Sequence, residues 1–155
     1  MRRRDFIIGL GGTVGWSPFA SSQPGVSDPD VPRLVAGTWI FVASQTIDAD
    51  GARTDRWGPD VKGILMFDGQ DRFAQIIMRP PSLLFGTRAF SAFGTYSIDR
   101  KVNAIITSIE GSSNPGAVGL VQHRTIVTLT DRELRYVNSR TASGEMIESA
   151  WRRRT

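Results

Sequence analysis

From Leu34 onward the chain alternates short apolar runs with turn residues, and no stretch carries the 3.6-residue apolar period of an amphipathic helix. The runs predict strands over Gly37–Thr46, Ala52–Arg56, Gly63–Phe67, Arg72–Met78, Ala89–Ile98, Val102–Glu110, Val121–Thr130, Glu133–Asn138 and Glu145–Trp151. Several connections are tight. Asp50-Gly51 and Asp68-Gly69 supply the positive φ that hairpin turns require, and Asp99-Arg100-Lys101 and Asp131-Arg132 are comparably short. Strands joined in order by short turns make an antiparallel meander. Gly37–Ser44 and Val102–Glu110 are apolar on both faces, which asks for an apolar interior and a partly covered outside. The pattern predicts an all-β fold, an antiparallel up-and-down barrel of about eight to nine strands, with a Greek-key sandwich as the rival.

Two connections are longer. Arg79–Arg88 holds two prolines beside Leu83, Leu84 and Phe85, and Gly111–Gly119 is glycine-rich and polar, then small and apolar. Long loops that carry apolar residues usually cap a cavity or meet a partner.

The 155 residues, 40% of them hydrophobic, suit one domain with a substantial core. Residues 1–22 read as a signal peptide: a basic start, a short apolar stretch and small residues near Ala20 and Ser22. Arg3-Arg4-Asp5-Phe6-Ile7 resembles the twin-arginine export motif, so the expected location is periplasmic or secreted. Residues 23–33, with three prolines, read as a linker, and 34–155 as the barrel domain. Zero cysteines are compatible with that location and exclude thiol nucleophiles and thiolate metal sites. Without residues 1–22, which carry three arginines and one aspartate, the formal charge falls from +4 to +2. Without Arg152–Arg154 the rest is close to neutral, so the chain has no nucleic-acid signature. No run of about 18 apolar residues predicts a membrane span.

Little in the sequence carries chemistry. The single histidine, His123, sits mid-strand and is a weak candidate for a general base. Glu110, at the end of an apolar strand, is a second weak catalytic candidate. His123 and Arg124 are adjacent on one strand and point to opposite faces, so at most one of them lines a cavity. Gln75 lies inside the apolar strand RFAQIIM and alternates with Phe73 and Ile77. A buried amide needs partners, which a ligand or an ordered water would supply. Phe41, Met66 and Tyr96 complete the expected ligand-binding set. No metal site, cofactor fingerprint, phosphate loop or Gly-x-Ser-x-Gly elbow is present.

The segments GTW, DADG, GPDVKGILMF, DGQDRFAQIIMRP, FGTYSID, IEGSSNPGAVG and QHRTIVTL run in order from Leu34 to Trp151. Together they resemble the bacterial lipocalin-like domain proteins. The resemblance implies a small barrel with an internal cavity. It implies that Gly37 lets the chain bend into the first strand and that Trp39 plugs the closed end. It also implies an arginine from a late strand across the tryptophan face, for which Arg152 is the first choice and Arg124 the second.

The leading functional expectation is an exported protein that binds a small, largely apolar molecule in its barrel. An isomerase or cyclase acting on a hydrophobic substrate is the second, and requires Gln75, Tyr96, Glu110 and His123 to converge. A filled barrel serving as an interaction module is the third.

Overall fold

Every apolar run forms a strand in the computed structural model, which describes residues 30–82, 86–139 and 141–155. The strands are β1 (Gly37–Ile47), β2 (Arg53–Asp55), β3 (Lys62–Phe67), β4 (Arg72–Ser82), β5 (Gly86–Asp99), β6 (Ala104–Ser112), β7 (Val121–Leu129), β8 (Glu133–Asn138) and β9 (Met146–Arg153). All pair antiparallel in the order β2-β1-β3-β4-β5-β6-β7-β8-β9. A ladder between β1 and β9, from Trp39↔Arg153 to Ile47↔Met146, closes the sheet on itself. The result is an up-and-down barrel of eight strands with β2 as an extra short strand on the end of β1. That closing ladder rules out the sandwich, which keeps two separate sheets.

The expected signal peptide over residues 1–22 lies outside the described residues. The expected linker ends at Arg33, but its last residues belong to the fold. Val31–Val35 form a short helix, α1, with Pro32 in its first turn, and both valines are buried. Proline is tolerated there because first-turn N–H groups have no helical partner.

The closed end of the barrel explains the Gly-x-Trp opening of β1. Trp39 is fully buried and donates its Nε1–H to the Val35 carbonyl at 2.9 Å, which ties the strand to α1. The guanidinium across its ring comes from Arg153, 4.2 Å from the ring centroid, not from Arg152 or Arg124. Trp151 points inward, so alternation sends Arg152 outward and brings Arg153 back under the barrel floor. Arg153 also donates to the carbonyls of Ala36, Leu34 and Asp131. Gly37 sits beneath this guanidinium at φ +123°, and a Cβ there would lie 2.7 Å from Arg153 Nη1. Glycine is needed twice over, for its dihedral and for the space.

Above this floor the interior is packed with Leu65, Phe67, Phe73, Tyr96, Ile105, Leu134 and Trp151. All lie near the strand ends that face α1. The other half of the barrel is different.

Candidate functional site

The hairpins at 68–71, 99–103 and 130–132 belong to the closed end, so the connections at 48–61 and 113–120, the ends of β4 and β5 at Ser82 and Gly86, and those of β8 and β9 at Asn138 and Met146 all gather at the opposite rim. The Gly111–Gly119 segment and the β4 and β5 ends that flank residues 83–85 therefore share one end. Leu83, Leu84 and Phe85 lie outside the described residues. The Gly111–Gly119 segment does cap a cavity: Asn114 Oδ1 accepts from Gly116 N at 3.1 Å, a turn that drives Ala117 inward until it is 1% exposed.

Beneath this rim lies a cavity of about 260 Å3. Its walls are the inward residues of the strands, Gln75 and Ile77 from β4, Gln122 and Arg124 from β7, Tyr136 and Asn138 from β8, and Ser149 from β9. A β-bulge between Phe41 and Ala43 shifts the phase of β1, so that odd residues face inward before it and Ser44 faces inward after it. Ser44 Oγ meets Ser149 Oγ at 3.2 Å. The cavity is roofed by Trp57, 6% exposed. An Asx turn places it: Asp55 Oδ1 accepts from the backbone N–H groups of Trp57 (2.9 Å) and Gly58 (3.3 Å). Arg88 stacks on the indole with its guanidinium carbon 4.8 Å from the centroid, and donates to the Arg56 carbonyl at 2.9 Å.

The electrostatics of the site are one-sided. Among the described residues the lining includes Arg56, Arg88 and Arg124 and no aspartate or glutamate. Glu145 at the rim pairs with Arg56 at 2.6 Å. That hydrogen bond, followed by one from Ser143, holds the Glu145 carboxyl below its ordinary range. Arg124 is 2% exposed. Its Nη1 reaches Tyr136 Oη at 3.4 Å and its Nη2 reaches Gln122 Oε1 at 3.3 Å, and its faces lie 5.2 Å from the rings of Phe73 and Tyr136. Among the described residues, Arg124 Nε and Gln75 Oε1 are buried without a hydrogen-bond partner.

Of the residues expected to bind a ligand, Gln75 lines the cavity. Phe41 stands edge-on to Trp151 at 5.4 Å and lines a second hollow of about 340 Å3, where β1 and β3 part beyond Ile40↔Ile64. Tyr96 is buried in the closed half, edge-on to Phe67 at 4.8 Å, and its burial, with Asp68 behind it, raises the phenol above its ordinary value. Met66 is 40% exposed on the outside of the barrel, because Leu65 and Phe67 take the inward phase of β3; it does not reach the cavity. Glu110 is exposed too, held by Arg72 in a two-pronged ion pair at 2.7 and 2.8 Å. His123 takes the outward phase of β7, opposite Ile106 of β6, because Gln122 and Arg124 take the inward one. The four residues on which an isomerase or cyclase was to rest do not converge.

The sequence marks Arg124 as the second choice of partner for Trp39 and as one of two adjacent residues of which at most one lines a cavity, but does not single out Gln122, Asn138 or Trp57. Alternation from Gln122 through Ile126 places Arg124 inward once the phase of β7 is known. Trp57, in a turn-rich segment, left no comparable signal.

Neither a family model nor a curated protein matches the sequence. Among solved structures the barrel is similar to a redesigned β-barrel, with a TM-score of 0.48 and 14% identity over 80% of this chain and 95% of that one. It is also similar to a de novo designed fluorescence-activating β-barrel, with a TM-score of 0.46 and 13% identity over 81% of this chain and 98% of that one.

Proposed function

We propose that this protein is an exported, lipocalin-like barrel that binds a small molecule in the cavity at its open end. The observation that carries the reading is the division of the interior, a side-chain-filled floor beneath a roofed cavity of about 260 Å3. Drug-sized ligands occupy roughly 300–1,000 Å3, so the molecule is small. Ile77, Phe90, Ala117 and Ile147 offer it apolar contact, while Gln75, Gln122, Arg124 and Asn138 offer polar contact. A ligand with both an apolar and a polar part fits better than a purely apolar one.

Trp57 provides the test, since it lines the cavity while Trp39 and Trp151 are packed in the floor. Titration with octanoate, octan-1-ol and octylamine should change the indole emission saturably for at least one of them. In the Trp57→Phe variant the change should vanish. Flat titrations with all three would contradict the reading. Export rests on the twin arginines and the apolar stretch behind them. Replacing Arg3 and Arg4 with lysines should leave the chain in the cytoplasm; undiminished export would point to another route.

A further inference from the structure

We infer that the polar part of the ligand is a carboxylate seated on Arg124, with its apolar chain directed toward the roof under Trp57. This deepens the binding reading above and rests on it.

A buried guanidinium without an anion is costly, because its charge is taken from water and nothing of opposite sign replaces the loss. Arg124 is in that position: 2% exposed, with no ion pair among the described residues. The cation–π contacts of its Cζ with the Phe73 and Tyr136 rings, each at 5.2 Å, supply no anion. Among the described residues its edge makes two long hydrogen bonds, both to neutral oxygens, and Nε has no partner. Each Nη keeps one N–H beyond the bond it makes, and the two together form the fork that matches a carboxylate.

The rest of the cavity repeats the sign. The other charged lining residues are Arg56 and Arg88, and Glu145, at the rim, is engaged by Arg56. An anion entering past Arg88 therefore meets no like charge on the wall. A cationic ligand would face three arginines with no carboxylate to receive it. The apolar residues Phe90 and Ala117 lie on the rim elements, so a short acyl chain extending from Arg124 finds its contacts there.

The wild-type protein should bind octanoate at least tenfold more tightly than octan-1-ol, and octylamine more weakly than both. Calorimetry or Trp57 emission reads the difference. Arg124→Met should weaken octanoate by about 10- to 100-fold and leave octan-1-ol within a factor of about three, each tenfold step being about 1.4 kcal/mol. Arg124→Lys keeps the charge and loses the fork, so octanoate should fall between the two. If Arg124→Met does not fold, the wild-type headgroup order and the lysine variant decide alone. Octan-1-ol binding as tightly as octanoate would overturn the carboxylate assignment while leaving the cavity a binding site. So would an Arg124-dependent response to inorganic phosphate without one to octanoate. Binding of none of the probes would remove the underlying reading as well.

Discussion

Replacing Trp39 with alanine is expected to destabilise the barrel by about 3–5 kcal/mol, the usual cost of deleting a fully buried tryptophan. The indole is the centre of the closed end rather than one core residue among many. Its ring supports the Arg153 guanidinium at 4.2 Å, and its N–H holds α1 through Val35. Arg153 in turn ties the carbonyls of Leu34, Ala36 and Asp131 to the last strand of the barrel. Alanine removes the packing, the cation–π contact and the anchor of the helix together. With a urea slope of about 2 kcal/mol/M, the midpoint should fall by about 2 M. A loss below about 1 kcal/mol would mean that the floor is held by something other than this tryptophan.

Gly94→Ala should be at least as damaging, at about 3 kcal/mol or more, because the obstruction is backbone rather than side chain. At Gly94 the ladder between β5 and β6 slips: Phe93 pairs with Gly111 but Gly94 pairs with Ile109, leaving Glu110 as the extra residue. A Cβ on Gly94 would lie 1.9 Å from the Ser108 carbonyl oxygen and 3.0 Å from Glu110 N. No rotamer relieves such a contact, so the two strands must separate and the slip must be lost. Circular dichroism melting reads the effect directly. A variant melting within about 2 °C of the parent, at most about 1 kcal/mol for a domain of this size, would show that the strands part at little cost.

Much of this architecture is legible in the chain. All nine strands fall where apolar runs meet turn residues, and their boundaries shift by at most a few positions. The largest extension is in β4 and β5, which continue through Pro80 and Pro81 as a long hairpin instead of stopping at Met78. Gly94 could have been marked as a bulge or close approach, since an isolated glycine inside a strand often indicates one. Gln75 was legible because its neighbours Phe73 and Ile77 are unambiguous core residues.

The remaining site was hidden by the phase problem. Near the mouth the inward residues are polar, so hydrophobicity does not reveal which face of β7 or β8 is inside. Met66 fails for the opposite reason: KGILMF is apolar on both faces, and only pairing shows that Leu65 and Phe67 own the interior. Arg152 is the choice that adjacency to Trp151 suggests, whereas alternation favours the residue two places on, Arg153. The inward position of Ser44 depends on a bulge between Phe41 and Ala43 that no turn residue announces.

The most direct test of the account is native mass spectrometry of the chain recovered from an exporting bacterial host, compared with the same sample denatured. The account predicts a discrete additional mass on the folded barrel that is lost on denaturation, or one acquired at a 1:1 ratio when octanoate is added to a protein that emerges empty. A folded barrel that carries no additional mass, and takes up none from octanoate, octan-1-ol or octylamine, would contradict it.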